Sequence, residues 1–222
     1  MKIPERYLRN QSTISAAEQE RLAACHALVV GAGGLGSHVL EGLVRLGIGH
    51  LDICDPDVTE ASNLNRQLLV LESTLGRPKV ELARERSLAI NSDVEVRSWQ
   101  EAFPSPALVA ELASCDVVID CLDSIAARQE LETCCHAAGL SLVYCSIAGP
   151  YVYFGVSTPD DPLIAGQQQG SASLEKELGN PYPTVTIAAG LELELALCLL
   201  LDRSVPTGLH VLDLSDFTLD VI

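Results

Sequence analysis

Gly31, Gly33 and Gly36 stand at the G-x-G-x-x-G spacing of a nucleotide-binding turn. Glycine serves that chemistry in three ways: the turn is tight, the backbone must come close to phosphate, and the next helix must pack closely on the strand before it. A helix starting there offers free backbone N–H groups to an anion. Further on, Asp55, Asn63, Arg66, Lys79 and Asp123 are the polar residues expected near the same edge of the fold. Asp55 follows the turn by about 20 residues, where an acid can accept hydrogen bonds from ribose hydroxyls. The alternative for Asp55 is a purely local duty in the turn Asp55-Pro56-Asp57. A dinucleotide dehydrogenase would use the glycine turn and Asp55 but has no special need of Arg66 and Lys79. A triphosphate would use both cations to offset its charge, and Asp123 could hold Mg²⁺ beside it.

The elements that must position these residues follow from hydrophobic pattern and punctuation. Leu28-Val29-Val30 runs straight into the glycine turn, and an amphipathic helix from His38 follows, ending at Gly47 or Gly49 as a C-cap should. Ser15-Ala16-Ala17-Glu18 reads as a capping box for a short helix before this unit. Leu51 to Cys54 is a second strand that delivers Asp55. Pro78 suits the first turn of a helix from Lys79 to Ile90. Val94 to Trp99 reads as a strand, and Ser105-Pro106 caps a helix to Ala113. Asp116 to Asp120 is an apolar strand ending in Cys121-Leu122-Asp123-Ser124, at the carboxyl edge where open α/β sheets place ligands. A helix from Ile125 to Ala138 ends at Gly139, and strands follow over Leu140 to Cys145 and Val152 to Ser157. Thr158 to Pro183, rich in Gly, Gln, Ser and Pro, breaks the pattern and reads as a long loop of the functional or disordered kind. A helix from Thr184 to Asp202 and two closing strands, Leu209 to Leu214 and Phe217 to Ile222, complete the chain. The fold class is α/β: a Rossmann-like, mainly parallel sheet flanked by helices, with antiparallel strands toward the C-terminus.

The bulk properties narrow the partners. The chain has 222 residues and a net charge of −16, which speaks against a broad nucleic-acid surface. The longest apolar run, Val185 to Leu201, contains Glu192 and Glu194 and is short for a membrane span, so no membrane partner is expected. Eight cysteines occur without a C-x-x-C pair, so no structural zinc is expected, and a reduced, cytoplasmic protein is the simplest account.

Together the motifs resemble the ThiF/MoeB/HesA family, relatives of the ubiquitin-activating enzymes. The resemblance rests on Arg6-Tyr7-Leu8-Arg9, the run from Gly31 to Gly36, Asp55-Pro56-Asp57, Ser62-Asn63-Leu64-Asn65-Arg66-Gln67, Gly76-Arg77-Pro78-Lys79 and Asp120-Cys121-Leu122-Asp123. It covers nearly the whole chain. It implies an adenylyltransferase that uses MgATP to activate the C-terminal glycine carboxylate of a small ubiquitin-like (β-grasp) sulfur-carrier protein ending in Gly-Gly. Under it, Gly34 and its neighbours line the nucleotide site and Asp55 holds ribose. Asn63, Arg66 and Lys79 position the phosphates, and Asp123 holds magnesium. Arg9 reaches across a homodimer to the other subunit's phosphates. The chain then reads as one adenylation domain over 1–222: an arm and helix over 1–25, a nucleotide-binding core over 26–145, and a carrier-binding and dimer-forming part over 146–222. Three features depart from many relatives. There are no C-x-x-C pairs for zinc. The loop before the last long helix has no cysteine. Tyr151 and Tyr153 are bulky where small residues often accommodate the carrier tail, while Leu122 and Ser124 flank Asp123 in place of Thr and Asn. Two other readings share the fold: an NAD-dependent oxidoreductase, and a non-catalytic relative that binds a carrier without activating it.

Overall fold

The computed structural model describes residues 3–165 and 177–222. One eight-stranded sheet organises them. Its strands are β1 His26–Val30, β2 His50–Cys54, β3 Glu95–Trp99, β4 Val117–Asp120, β5 Leu142–Ala148, β6 Tyr151–Ser157, β7 His210–Asp213 and β8 Thr218–Val221. The spatial order is β3-β2-β1-β4-β5-β6-β7-β8. From β3 to β5 every pairing is parallel, and from β5 to β8 every pairing is antiparallel. The helices are α1 Ala16–Leu22, α2 Gly34–Leu46, α3 Lys79–Ile90, α4 Pro106–Glu111, α5 Ile125–Ala137 and α6 Tyr182–Leu200.

The inner strands β1 and β4 are buried at every position and run apolar at successive residues because both faces are covered, whereas the edge strand β3 is mostly exposed. In β1, Ala27 and Val29 join the core that includes Val39, Leu43, Val80, Ala188 and Ala196, on the side of α2, α3 and α6. Leu28 and Val30 join the opposite core with Leu108, Leu112, Leu131 and Cys135, on the side of α4 and α5. Gly42 lets α6 approach α2, since a Cβ there would lie 2.2 Å from Leu193 Cδ1. By length and composition alone α6 could cross a membrane, but half of its apolar window is buried inside the fold.

The expected elements are present, with boundaries moved most clearly at α2 and at both ends of β5. α2 starts at Gly34, four residues before the expected start, because the glycine run itself winds into the first helical turn. The cap residue Gly33 supplies no side chain, and the helical ladder opens with Ser37 N–H donating to Gly33 O at 3.0 Å. β5 begins at Leu142 rather than Leu140. Gly139, at φ +74°, and Leu140 are spent closing α5, their N–H groups donating to His136 O and Cys135 O. The strand then runs on to Ala148, because β6 pairs with it along its full length, from Leu142↔Ser157 to Ala148↔Tyr151. The capping box on α1 forms as expected, with Ser15 Oγ accepting from Glu18 N–H and Glu18 accepting from Ser15 N–H. Of the loop expected over Thr158 to Pro183, residues 166–176 lie outside the described residues. Its entry is pinned by buried Glu132 on α5, whose Oε1 accepts from the N–H groups of Leu163 and Ile164 at 3.0 and 2.9 Å.

Topology fixes where a ligand would sit. From β1 the chain proceeds outward to β2 and β3, then returns to the other side of β1 to form β4 and β5. The carboxyl ends of β1 and β4 therefore flank the switch point, and loops leaving them in opposite directions open a crevice.

Candidate functional site

At that switch point lies a cleft of about 370 Å³, lined among others by Gly31, Gly33, Gly34, Asp55, Arg66, Lys79 and Asp123. The volume lies within the range of small-molecule sites. Cys54, Phe103 and Leu122 contribute apolar wall, and Gln67, Arg128, Ile147, Asn180 and Val185 complete much of the rest.

The four turn glycines divide into two kinds. Gly31 and Gly36 are required by the protein itself. Gly31 sits at φ +103°, and a Cβ on it would come within 2.4 Å of Cys121 O; a Cβ on Gly36 would meet Gly31 O at 1.8 Å. Gly33 and Gly34 are different. A Cβ on Gly33 would be 3.8 Å from Gln67 Nε2, and one on Gly34 would be 3.5 Å from Val185 Cγ1, both ordinary contact distances. The space beside Gly33 and Gly34 is thus kept clear by something other than the packing of the chain. The first N–H groups of α2 have no side-chain cap, and their helix begins on this cleft.

Asp55 is 5% exposed and ties the turn to the second strand. Its Oδ2 accepts from Ala32 N–H at 2.7 Å, inside the glycine turn, and its Oδ1 accepts from Asp57 N–H at 2.8 Å. Burial pushes its carboxyl above the ordinary range, against the pull of those two donors and of Lys79. Lys79 is 7% exposed, and its Nζ lies 2.8 Å from Asp57 Oδ2 and 3.6 Å from Asp55 Oδ1. As the first residue of α3, it is set by Pro78 before it and by its N–H bond to Asp57 O. Arg66 is half-buried and reaches the cleft from the crossover after β2, where its Nη1 donates to Ser62 O and Asn65 Oδ1 at 3.1 and 2.8 Å. Asp123 is exposed at the opposite wall, after β4.

Three expected residues sit outside this lining. Gly36 lies under the turn as packing. Asn63 builds the crossover: its Oδ1 accepts from Glu60 N–H at 3.0 Å, and its carbonyl accepts from the N–H groups of Arg66 and Gln67. It orients Arg66 from outside the cleft. Arg9 is exposed on the amino-terminal arm, where buried Tyr7 packs on Gly47 at the far end of α2 and its hydroxyl accepts from Asn91 Nδ2 at 3.2 Å. α2 has 13 residues, so about 20 Å of helix separates that anchor from the turn. An arginine side chain does not span that distance, and Arg9 does not serve this chain's own cleft.

Other residues of the site carry little sequence signal. Arg128 reads as one more charge on a helix, yet it is 5% exposed and stands 5.3 Å from the Tyr144 ring. Glu192 is fully buried on α6, with Oε1 3.8 Å from Cys121 Sγ, and burial pushes its carboxyl well above the usual range. Gln67 was legible as part of the polar run after Asp55, although its burial was not.

A glycine turn at the switch point of a doubly wound sheet, with an acid behind it and two cations across from it, defines a Rossmann-like nucleotide-binding domain. Comparison with known proteins narrows the class. The profile of the ThiF family matches residues 6–218, and the chain belongs to that family. It is 38% identical over 125 residues to the molybdopterin-synthase adenylyltransferase of Escherichia coli (strain K12), covering 56% of this chain and 50% of that protein. It is 34% identical over 131 residues to the sulfur carrier protein ThiS adenylyltransferase of the same organism, covering 59% and 52%. The chain thus spans about half the length of these curated relatives. The crystal structure of E. coli MccB with ATP superposes with a TM-score of 0.83 at 20% identity, covering 99% of this chain and 71% of that one, a likeness of fold.

Proposed function

We propose that the chain adenylates the C-terminal carboxylate of a small ubiquitin-like sulfur-carrier protein ending in Gly-Gly, with MgATP as the nucleotide donor. The observation that carries this reading is the clear space beside Gly33 and Gly34, at an uncapped helix N-terminus, walled by Arg66, Lys79 and Asp123. Phosphate fits such a cradle, and two cations suit a triphosphate better than a dinucleotide. The named relatives are adenylyltransferases of ThiS and of molybdopterin synthase, which supports a sulfur carrier as the partner.

In this reaction a carrier carboxylate oxygen bonds to the α-phosphorus while the α–β phosphoanhydride bond breaks, leaving acyl-adenylate and pyrophosphate. The attacking carboxylate is ionised at neutral pH, so the chain needs no general base. Its work is positioning and charge stabilisation. The first N–H groups of α2, Arg66 and Lys79 face the phosphates, and Asp55 faces the ribose. Asp123 fits magnesium held jointly with phosphate oxygens, since that ion keeps to one or two carboxylates plus substrate oxygens. Among the described residues no group of three His, Cys, Asp or Glu side chains could hold a metal unaided. The test is carrier-dependent exchange of labelled pyrophosphate into ATP, set against thermal shifts with ATP and with NAD. Exchange with an ATP shift is the expected result; an NAD shift without exchange overturns the reading.

The working form in this reading is a homodimer, because Arg9 lies too far from its own cleft and would complete that of a second copy, as an arginine finger does. Mixing inactive Arg9→Ala with inactive Asp123→Ala is expected to restore part of the exchange activity, since each heterodimer holds one site with both residues intact. No recovery after verified subunit exchange would show that Arg9 does not act in trans.

The reaction is expected to stop at the acyl-adenylate. Burial pushes up all eight thiols, Cys54 and Cys115 to about 12. None is then poised as a thiolate at neutral pH. Intact-protein mass spectrometry after incubation with carrier and MgATP should show no reductant-sensitive adduct on this chain; an adduct mapped to one cysteine would refute this.

A further inference from the structure

The turn that carries Asp123 is gripped by a buried ion pair. Asp120, the last residue of β4, is 0% exposed, and its Oδ1 accepts from Leu122 N–H at 3.0 Å. Arg128, in the first turns of α5, donates through Nη2 to Leu122 O. The same guanidinium donates through Nη1 to Cys145 O at 2.8 Å and stands 3.6 Å from Asp120 Oδ2. Both backbone polar groups of Leu122 are therefore held by one acid–base pair. The last rung between β4 and β5 is Asp120↔Tyr144, so Leu122 lies beyond the ladder and has no strand partner to take its N–H and C=O. Buried backbone groups need partners, and here side chains supply them. Only arginine offers a planar fork that can reach two carbonyls and a carboxylate at once.

We propose that Asp120 and Arg128 are a positioning pair. They hold the Leu122 turn so that Asp123 faces the cleft, and thereby set the magnesium dependence of nucleotide binding. The inference rests on the reading of Asp123 as a magnesium-holding residue. Neither member of the pair needs to touch the nucleotide for this. Partners that orient a metal-holding carboxylate are worth roughly 10-fold to 100-fold in metal affinity.

The test is isothermal titration calorimetry of ATP into the whole chain without carrier, once with Mg²⁺ and once with EDTA, for wild type, Asp123→Asn, Arg128→Lys and Asp120→Asn. Wild type is expected to bind ATP more tightly with Mg²⁺, and Asp123→Asn to lose that gain. Asp120→Asn, at a residue outside the cleft lining, should lose roughly 10-fold of the gain, with its affinity in EDTA close to wild type; Arg128→Lys should lose the gain to a similar extent. A merely structural pair would lower both affinities together and leave the gain intact. Circular dichroism verifies the fold; Asp120→Asn keeps the side-chain acceptor for Leu122 N–H and removes only the charge, and if it is unfolded, the Mg²⁺ gain alone is read from Arg128→Lys. A gain retained in the folded pair variant but lost in Asp123→Asn overturns the positioning role alone. A gain missing from wild type, or unchanged in Asp123→Asn, overturns the reading of Asp123 and this inference with it.

Discussion

Replacing either Arg66 or Lys79 with alanine should cut carrier-dependent pyrophosphate exchange by about tenfold or more, since each change removes a charge-assisted phosphate contact worth about 1.5–3 kcal/mol. The two variants should part company in stability. Arg66 is half-buried and, among the described residues, hydrogen-bonds within its own crossover, to Ser62 and Asn65, so its loss is expected to leave Tm nearly unchanged. Lys79 is buried between Asp55 and Asp57, and its removal leaves two neighbouring carboxylates without their shared cation. Asp55 is the more costly of the two to leave unpaired, because it is buried and its carboxyl already lies above the ordinary range. Lys79→Ala should therefore lower Tm as well as activity, and the drop should be partly recovered in Lys79→Ala/Asp57→Asn. Exchange kinetics and thermal melts on the same preparations separate the two effects. Full activity in both single variants, with a confirmed carrier, would remove the assigned phosphate roles.

The second large effect is expected within the glycine turn. Gly36→Ala drives a methyl group to 1.8 Å from a backbone oxygen that cannot swing aside, because Gly31 is itself locked against Cys121. Overpacking of this kind costs about 3 kcal/mol or more, which for a chain of this size is a Tm loss of about 6–12 °C. Gly34→Ala should behave in the opposite way. Its methyl group meets Val185 and Arg66 side chains at ordinary contact distance, and alanine favours the helix it would join, so the melt should hold or improve. Its ATP affinity should nevertheless fall, by about 1–3 kcal/mol, because the methyl group would occupy space the chain leaves clear. Melts and ATP titrations of the two variants side by side give the contrast. If Gly34→Ala binds ATP like wild type, the space beside it is not a phosphate cradle.

Much of the architecture was legible in the sequence because it is local. Three apolar residues before a glycine run, an apolar stripe ending at Gly47, and Asp55 at the end of the next strand specify a strand–turn–helix–strand unit without reference to anything distant. Successive parallel strands joined by right-handed crossovers bring their carboxyl ends to one edge. That is why Asp55, Arg66, Lys79 and Asp123, spread over 69 positions of the chain, could be assigned to one cleft by reading alone. The family resemblance added chemistry that spacing could not supply.

Tertiary structure decided the rest, in each case through burial or through contact between distant segments. Asn63 and Arg66 share one polar run, yet the crossover turns Arg66 to the cleft and uses the Asn63 side chain to close the turn behind it. Arg9 carries no sequence mark of distance; the docking of Tyr7 on Gly47 places it at the wrong end of α2 for its own site. Arg128 and Glu192 stand in helices at positions where a charge usually meets water. Only the packing of α5 against β4 and β5, and of α6 across Cys121, turns them into buried groups beneath the cleft. A side chain's type and spacing fix what it can bond to, while its solvation depends on which surfaces close over it, and that is a property of the assembled fold.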